Sequence, residues 1–216
     1  EFLSKSGIAV PTAVKSKDGR YYEMVSVAGT EETRQIGVVD WVGGVPLSDL
    51  LQDDLSETRI RGTFRRLGSL MANFHLASIS WKPKRGFVRH SWDIEGFVGE
   101  KPFWGKFWEL GASDKETRKR LAAIKNQIQN LLSHLPQDKN CFGMIHADMH
   151  LDNVLKDGDR LNVIDFDDAG YGWHAYDLAV GIYDLLLNPT LRAHFELVRS
   201  ALAEGYLEVR PKSEYI

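Results

Sequence analysis

Apolar residues recur at alternating spacings of three and four in three stretches of the chain, which is the spacing of one face of an α-helix. The first stretch reaches about His75. The second follows a capping-box pair, Ser113 and Glu116, and ends before Pro136. The third starts with Asn188-Pro189, a favourable pair for a helix N-cap and first turn. The pattern therefore predicts three amphipathic helices. Their apolar positions are Ile60, Phe64, Leu67, Met71 and Phe74, then Leu121, Ile124, Ile128, Leu131 and Leu135, and finally Leu191, Phe195, Val198 and Leu202.

A fourth helix is predicted over residues 176–187, and its apolar side chains occupy nearly every side. This pattern is typical of a helix in a protein interior. We therefore expect the helix to be deeply buried.

Two β-rich runs lie near the start of the chain, at residues 20–28 and 33–42. Gly29-Thr30 and two glutamates join them, so the pattern predicts an antiparallel hairpin. A glycine pair and a proline then break the pattern. We expect a hinge there, between a small β-rich part at residues 1–43 and a larger, mainly helical part at residues 44–216. The predicted fold class is α+β.

The centre of the chain combines short apolar runs with acidic loops. Residues 142–145 predict a strand that delivers residues 146–148 into a loop, and Asn153 precedes a second short strand. A tight-turn signal follows, and residues 161–164 return as a strand that ends at Asp165. The predicted hairpin places Asn153 near Asp165.

The composition of the 216 residues, 43% hydrophobic and 26% charged, is ordinary for a globular protein. A net charge of −3 argues against general nucleic-acid binding, which needs a basic surface. No apolar run approaches the roughly 20 residues of a membrane span, so we expect no membrane partner. The single cysteine, Cys141, leaves no partner for an intrachain disulfide and fits a reducing compartment, so the cytoplasm is the expected location.

Acidic residues are concentrated in the centre of the chain. Residues 142–184 contain nine carboxylates against two cationic side chains, Lys156 and Arg160. Such crowding is costly unless a cation binds there or the carboxylates take part in proton transfer. The pattern therefore indicates a cation-binding or proton-transfer site in this segment.

Phosphoryl transfer needs one carboxylate that orients the attacking hydroxyl and accepts its proton, and oxygen ligands that hold Mg²⁺ against the nucleotide phosphates. Asp148, Asn153 five positions later and Asp165 about a dozen positions after that match the order of the kinase catalytic-loop and metal-binding motifs. The last motif reads Asp165-Phe166-Asp167, where protein kinases have Asp-Phe-Gly.

These motifs resemble those of the aminoglycoside phosphotransferase and choline kinase-like family, and the likeness extends over nearly the whole chain. The family usually has glycine where this chain has Ala147. The resemblance implies a protein-kinase-like, two-lobed fold, with a partial N-terminal β lobe and hinge at residues 1–43 and a helical catalytic lobe at residues 44–216. It also implies phosphorylation of a small molecule. The motifs that carry it are His146-Ala147-Asp148-Met149-His150 with Asn153, Ile164-Asp165-Phe166-Asp167, and Asp177-Leu178-Ala179.

The resemblance also implies roles for individual residues. Asp148 would be the catalytic base, Asn153 and Asp165 would bind Mg²⁺, and Asp167 would add a metal or substrate contact. ATP would be the co-substrate. Structural support of the catalytic loop would come from His146, His150 and Asp177. The hinge backbone that holds adenine would be Val39, Asp40, Trp41 and Val42.

One part of the family's pattern is missing from the sequence. The nucleotide-covering loop, a strand lysine for the phosphates and its glutamate partner should precede Glu1. Neither Lys5 nor Lys15 lies in a strand context that replaces that lysine. We expect this chain to be part of a longer kinase.

Two other classes of protein stay open. His146, Asp148 and His150 alternate, so on a strand they would share one face and could ligate zinc in a metal-dependent hydrolase. That interpretation leaves Asn153 and Asp165 unexplained, and we prefer the kinase. The other alternative is a degenerate kinase-like protein that binds ligands without turnover, since the strand lysine is absent. A protein kinase is disfavoured because the sequence has no Ala-Pro-Glu motif.

The acceptor is less defined than the catalytic motifs. Residues 81–108 are rich in tryptophan and phenylalanine, and we expect most of these rings to fill the helical part. A few would wall the acceptor site or stack on a cation. Because acidic charge remains after one Mg²⁺ is counted, we expect an amine-bearing or otherwise cationic acceptor alcohol.

Four further side chains receive simple structural predictions. We expect His75 to be a packing histidine with its hydrogen bonds satisfied, and His174 to be a loop residue near the site. Cys141 is predicted to be buried at a strand edge, and Asp168 to be a turn residue.

Overall fold

A computed structural model of the chain describes residues 1–52, 54–111, 114–187 and 189–211. In these residues the α-helices are α1 (Phe2–Lys5), α2 (Leu47–Gln52), α3 (Glu57–Ser80), α4 (Ile94–Val98), α5 (Lys115–Ser133), α6 (His174–Leu187), α7 (Pro189–Arg192) and α8 (Phe195–Val209). The strands are β1 (Ala13–Val14), β2 (Glu23–Ser26), β3 (Thr33–Ile36), β4 (Val38–Val39), β5 (Val45–Pro46), β6 (Ser91–Trp92), β7 (Phe142–Ile145), β8 (Val154–Asp157), β9 (Arg160–Val163) and β10 (Gly170–Trp173). Short 3-10 helices cover Phe107–Glu109 and Leu151–Asn153.

The chain forms two compact units. The first consists of Glu1–Asp54 and Leu151–Ile164, and the second of Leu55–His150 and Asp165–Ile216. The predicted division into residues 1–43 and 44–216 concerns the lobes of a kinase, and it stays a prediction.

The first unit contains small antiparallel sheets. β2 and β3 pair from Glu23 with Ile36 to Ser26 with Thr33, which confirms the hairpin predicted from the β-rich runs. β4 continues beyond that hairpin and pairs with β1 instead. A third sheet has the order β5, β8, β9. Its β8–β9 hairpin confirms the two strands predicted on either side of the tight turn that follows Asn153.

Gly44 is a position where the fold requires glycine. Its φ of +119° lies outside the range of ordinary L-residues, and a Cβ there would lie 2.8 Å from the carbonyl oxygen of Lys156. The glycine lets β5 approach β8 closely. The chain therefore forms a paired strand directly after the predicted break.

The second unit is built on two helices that pack closely, α3 and α8. Ser56 caps α3 by accepting a hydrogen bond from the backbone of Arg59 at 3.3 Å. The apolar face predicted for this helix is buried, and α3 extends five residues beyond His75 to Ser80. A three-stranded sheet of order β6, β10, β7 belongs to the same unit, with β10 antiparallel to β7 and parallel to β6.

The N-cap of helix α5 lies one residue after the predicted cap. Ser113 lies outside the described residues, and the observed N-cap is Asp114, whose carboxylate accepts from the backbone of Thr117 at 2.8 Å. The helix itself is confirmed, but its predicted apolar face is partly exposed, with Leu131 64% accessible. Helical spacing predicted the conformation and not the burial.

Two predictions about the C-terminal helices are wrong. The helix α6 is not deeply buried along its described length, because Tyr183 and Leu186 are exposed. The last predicted helix is divided into α7 and α8, with His194 as the residue that precedes α8. Asn188, its predicted cap, lies outside the described residues. No helix in the described part of the chain is long and apolar enough to cross a membrane.

Candidate active site

The loop that carries Asp148 leaves β7 through an unusual backbone conformation. Ala147 has a φ of +67°, in the left-handed region that costs an L-residue about 1–2 kcal/mol. This is the position where the resembling family usually has glycine. The surrounding contacts must therefore hold the loop in place.

Asp177, in the first turn of α6, provides those contacts. Its Oδ1 accepts a hydrogen bond from the Ala147 amide at 2.6 Å, and its Oδ2 accepts from the His146 amide at 3.1 Å. The same Oδ2 lies 2.9 Å from Nε2 of His75. Burial alone would raise the pKa of Asp177, but the hydrogen bonds that its carboxylate accepts outweigh burial and hold that pKa below its ordinary value. A buried carboxylate thus fixes the backbone just before Asp148.

A chain of buried polar groups continues from Asp177 to the end of α8. Nδ1 of His75 lies 2.8 Å from the hydroxyl of Tyr206, and Arg210 donates to the same hydroxyl. Arg210 also donates to Nδ1 of His174 at 3.0 Å. Burial lowers the pKa of His75, and it lowers that of His174 to about 3, so both rings are neutral near pH 7. His75 is a satisfied packing histidine, as predicted.

His174 is not the loop residue that the sequence predicted. It is the first residue of α6, it is 1% exposed, and its ring stacks on His75 at a centroid distance of 4.3 Å. The prediction was wrong because the burial of the ring depends on tertiary packing, which the local sequence does not show. Cys141 is buried beside β7 as predicted, and burial raises the pKa of its thiol.

Asp148 itself is partly exposed. Its side chain is 36% accessible, and its Oδ2 lies 3.6 Å from Nε2 of His150. The amide of Asp148 donates to Nδ1 of His146 at 3.3 Å. The buried ring of His146 also lies 4.7 Å, centroid to centroid, from the ring of Phe166. The two histidines predicted to support the loop thus contact it, while their functional role stays a prediction.

The Asp165 turn, here residues 165–168, comes after β9 and before β10. Asp165 has a φ of +60°, the other left-handed non-glycine among the described residues. The amide of Asp167 lies 3.5 Å from Oδ1 of Asp165, and the amide of Ala169 donates to the carbonyl of Phe166 at 3.2 Å. Asp168 is a turn residue, as predicted.

Four carboxylates of the second unit form an acid cluster, Asp148, Asp165, Asp167 and Asp168. Burial raises the pKa of Asp168, and the charges of the three other acids raise it further against the opposing effect of His90. The negative charges of these carboxylates repel one another, and a bound cation would relieve that repulsion. The charge of the cluster therefore favours a cation, although its four side chains do not have the arrangement of a metal site.

Asn153 lies in the first unit. It is buried at the end of a 3-10 helix, and its carbonyl accepts from the amide of Ile164 at 3.0 Å. Among the described residues, no group of three or more His, Cys, Asp or Glu side chains has the arrangement of a metal site. A magnesium site made by Asn153 and Asp165 stays a prediction.

The four predicted hinge residues follow or belong to β4. The amide of Asp40 donates to the carbonyl of Thr12 at 2.9 Å, and a carboxylate oxygen of Asp40 accepts from the Thr12 amide. Val39 pairs with Ala13, and Trp41 is 95% exposed. Nothing in these contacts tests adenine binding.

Sequence reasoning missed several residues that contact the site's framework. Arg89, His90 and Trp92 contact carbonyl oxygens of the Asp165 turn, and Arg210 and Tyr206 end the buried polar chain. The sequence placed Trp92 in the aromatic segment at residues 81–108, for which it predicted core packing or, for a few rings, contact with the acceptor. No local pattern could identify these partners, because residues 89–92 lie 76 to 78 positions from the turn that they contact, and Tyr206 lies 131 positions from His75.

The fold and the motif residues are those expected of the family that the sequence resembles, and comparison with known proteins agrees. The model of the phosphotransferase enzyme family (APH) matches residues 1–212. The chain belongs to this family. The resemblance inferred from the sequence motifs is confirmed, and so is the α+β, protein-kinase-like fold.

Two characterised relatives illustrate the range of the family. The chain is 26% identical over 190 residues to amicoumacin kinase from Bacillus subtilis (strain 168), covering 88% of this chain and 51% of that protein. It is 33% identical over 215 residues to homoserine kinase from Agrobacterium fabrum (strain C58 / ATCC 33970), covering 99% of this chain and 59% of that protein. The chain thus spans a little over half the length of these relatives.

Solved structures give the same fold. A microcompartment-associated aminopropanol kinase matches with a TM-score of 0.77 at 29% identity, covering 97% of this chain and 62% of that one. The amicoumacin kinase hAmiN, solved in complex with AMP-PNP, Ca²⁺ and Ami, matches with a TM-score of 0.76 at 22% identity, covering 100% of this chain and 60% of that one.

Proposed function

We propose that the protein containing this chain transfers the γ-phosphoryl group of ATP to a hydroxyl of a small molecule, with Mg²⁺ as the metal. The observation that carries the proposal is the acid cluster, in which a partly exposed Asp148 lies on a braced loop close to the Asp165 turn. Membership of the phosphotransferase family supports it. The reaction is proposed to take place in the cytoplasm, which the single unpaired cysteine supports.

Asp148 is proposed as the catalytic base. Its carboxylate would accept a hydrogen bond from the acceptor hydroxyl, orient it and take its proton as the new bond forms. His146 and Asp177 would keep the loop in place, since both contact its backbone. His150 would restrict the motion of the Asp148 carboxylate, since its ring nitrogen lies close to that carboxylate.

Mg²⁺ is proposed to bind through Asn153 and Asp165 on the basis of the motif, with Asp167 as a further metal or substrate contact. An amide oxygen and a carboxylate suit this ion, which keeps phosphate and water oxygens for its other positions. The bound ion would neutralise charge that develops on the phosphate oxygens. The adenine of ATP is proposed to lie against the backbone of the hinge residues, Val39, Asp40, Trp41 and Val42.

The acceptor is proposed to carry an amine beside its hydroxyl. The acid cluster supplies negative charge, and aromatic rings lie close to it: Trp92 stacks on Tyr176 at 5.8 Å between centroids. Burial, followed by nearby carboxylates, raises the pKa of Tyr176 to about 12, so its hydroxyl stays neutral. Relatives named for homoserine and aminopropanol support the proposal, because both compounds combine an amine with a hydroxyl.

An acceptor screen tests this choice. We expect ADP release with amino alcohols and at least about tenfold less with the matched N-acetyl compounds, since loss of one charged hydrogen-bond partner costs about 1.4 kcal/mol or more. The assay is ADP production by the full-length protein with Mg²⁺ and ATP. Equal rates with amino alcohols and their neutral analogues would show that the amine is not recognised.

Replacement of Asp148 tests the catalytic base. Asp148→Asn keeps the shape of the side chain but cannot accept a proton, so we expect turnover to fall about 10²–10⁴-fold with nucleotide binding largely retained. Nucleotide affinity is measured by calorimetry beside the rate. Asp18→Asn, at an exposed acid of the first unit, is the control and should leave turnover unchanged. Near-normal turnover of Asp148→Asn would refute the assignment.

Replacement of Asp165 tests the metal ligand. Asp165→Ala removes a carboxylate proposed to bind Mg²⁺, so we expect weaker Mg-ATP binding together with loss of turnover. Calorimetric titrations with Mg-ATP are carried out on both the Asp165→Ala and the Asp148→Asn variants. Weaker binding in Asp165→Ala alone separates the metal ligand from the catalytic base. If Asp165→Ala bound Mg-ATP as tightly as wild type, Asp165 would not be a metal ligand.

No observation favours the two alternative functions. In the zinc-hydrolase alternative, His146 would be a ligand, yet its ring is buried and its Nδ1 accepts a hydrogen bond from the Asp148 amide. A binding protein without turnover would not need Asp148 and Asp165, and both are present. The turnover assay distinguishes this last alternative from the kinase.

A further inference from the structure

Three side chains from residues 89–92 contact consecutive carbonyl oxygens of the Asp165 turn. Nη2 of Arg89 donates to the carbonyl of Phe166 and Nη1 to that of Asp167, each at 3.1 Å. Nε2 of His90 lies 3.0 Å from the carbonyl of Asp168, and the indole N–H of Trp92 donates to the same oxygen at 2.8 Å. Since a carbonyl only accepts, His90 must carry its proton on Nε2 here.

The backbone of the same segment is anchored beside the turn. Ser91 and Trp92 form β6, which pairs in parallel with β10 directly after the turn. The amide of Tyr171 donates to the carbonyl of His90 at 3.0 Å. Trp92 is 1% exposed, and the ring of Phe103 stacks on His90 at 3.9 Å. The donors are therefore attached to a packed support.

Arg89 differs from its two neighbours because it lies at the surface and bonds through both arms of one guanidinium. The planar fork of arginine can reach two acceptors at a fixed spacing, whereas lysine presents a single ammonium group. The Phe166 carbonyl that it contacts also accepts the Ala169 amide, which closes the turn. Arg89 thus donates to the carbonyl oxygen that closes the turn and also to the next carbonyl oxygen along the chain.

The turn needs such support for two reasons. Asp165 has a left-handed backbone, which persists only when surrounding contacts hold it. The turn also concentrates three carboxylates, Asp165, Asp167 and Asp168, whose repulsion favours a more open arrangement. A cationic donor on the carbonyl side opposes both effects without occupying the carboxylate oxygens.

We propose that Arg89 is a positioning residue that holds the Asp165 turn in the conformation that binds the metal ion. The proposal rests on the proposed function for its link to Mg²⁺, while the hold on the turn stands on the contacts alone. Loss of comparable supporting partners around metal ligands typically weakens metal affinity or activity about 10–100-fold.

The test compares Arg89→Met, Arg89→Lys and Arg199→Met in the full-length protein. Met keeps the aliphatic stem of arginine but loses the donors, and Lys keeps the charge but not the fork. Arg199 is the matched control, because it is an exposed arginine of the same unit that pairs with surface Glu196. Since Arg89 is also exposed, all three variants should fold.

Hydrogen exchange of the peptide that covers residues 165–170 is the first readout, and it does not depend on activity. We expect its amides to exchange at least about threefold faster in Arg89→Met, because both hydrogen bonds from Arg89 to the turn are lost, with a smaller change in Arg89→Lys. Arg199→Met should match wild type. If Arg89→Met also matched wild type, the turn would not depend on Arg89.

The second readout is the Mg²⁺ concentration that gives half-maximal turnover. We expect it to rise at least about tenfold in Arg89→Met and by less in Arg89→Lys. An Arg89→Lys variant identical to wild type in both readouts would overturn the role of the fork. If the wild-type protein shows no turnover, the proposed function fails, and hydrogen exchange still decides whether Arg89 holds the turn.

Discussion

At the scale of single residues, the site is marked by two left-handed backbones. Among the described residues, Ala147 and Asp165 are the non-glycine positions with positive φ, and both lie in the predicted catalytic motifs. Asp177 holds the backbone at Ala147 by accepting two amide hydrogen bonds. The donors of residues 89–92 hold the turn that contains Asp165. Such strain is typical of sites where geometry matters for chemistry.

The strain at Ala147 predicts an unusual tolerance of glycine. For Ala147→Gly, relief of about 1–2 kcal/mol of left-handed strain offsets the lost methyl burial and the greater freedom of the unfolded chain. We therefore expect a free energy of unfolding within about 1 kcal/mol of wild type. Ala201→Gly is the control, a buried alanine within α8, and should lose about 2 kcal/mol. Urea titration measures both, and equal losses would mean that Ala147 is not strained.

At the scale of elements, the two main helices of the second unit meet at glycines. A Cβ on Gly68 of α3 would lie 2.0 Å from the carbonyl oxygen of Leu202, and one on Gly205 of α8 would lie 1.9 Å from that of Arg65. The helix backbones therefore approach each other more closely than any side chain would allow. The sequence gives the apolar faces of these helices, but not which glycine lies at the crossing.

A pair of glycines in α3 tests this packing. Gly68→Ala places a methyl against the backbone of α8, so we expect a loss of about 1–3 kcal/mol or more in the free energy of unfolding. Gly62→Ala, where nothing lies within 4 Å of the added Cβ, should gain about 0.5–1 kcal/mol from better helix propensity. Thermal or urea unfolding measures the two changes. Stabilisation by both substitutions would refute the close crossing.

Elements were predicted where the signal is local. The strand over residues 142–145 has the predicted bounds, and the β2–β3 hairpin lies within the two predicted β-rich runs, although its strands are shorter. The burial of α5 and α6 was not predictable, because a helix with apolar residues is buried only where another element covers it. The division between α7 and α8 is likewise not encoded in apolar spacing, which continues through it.

At the scale of the whole chain, stability is tied to a buried polar network in the second unit. His75, His174, Asp177 and Tyr206 are almost completely buried, and Arg210 adds the cation at one end. Such a network is favourable only when each group has a partner. The one buried side-chain atom without a partner in the described chain is Nε2 of His174.

This network predicts acid sensitivity. The pKa of His174 is about 3 in the folded state, against an ordinary value near 6.5, so between these limits only the unfolded chain binds the proton. Stability should therefore fall as pH decreases below 6.5, by about 1.4 kcal/mol per pH unit for this residue. Burial lowers the pKa of His75 as well, which adds to the same trend.

His174→Gln tests the assignment by the slope of stability against pH. We expect a shallower slope between pH 4 and 6.5 than in wild type, whatever the absolute stability of the variant. His134→Gln, at an exposed histidine of the same unit, should retain the wild-type slope. Urea titrations at each pH measure the slopes, and identical slopes in all three proteins would exclude His174 as a source of acid sensitivity.

The sequence by itself determined the family of this protein and most of its local elements, and it indicated the proposed chemistry. The order and spacing of Asp148, Asn153 and Asp165 indicated a phosphoryl-transfer site, and family membership confirmed the resemblance. These signals are readable because each depends on residues a few positions apart. Only the tertiary structure decided what holds the site in shape: the carboxylate of Asp177, the fork of Arg89 and the network that ends at Arg210. Those contacts join residues about 30 to 130 positions apart, and packing, not local pattern, brings them together.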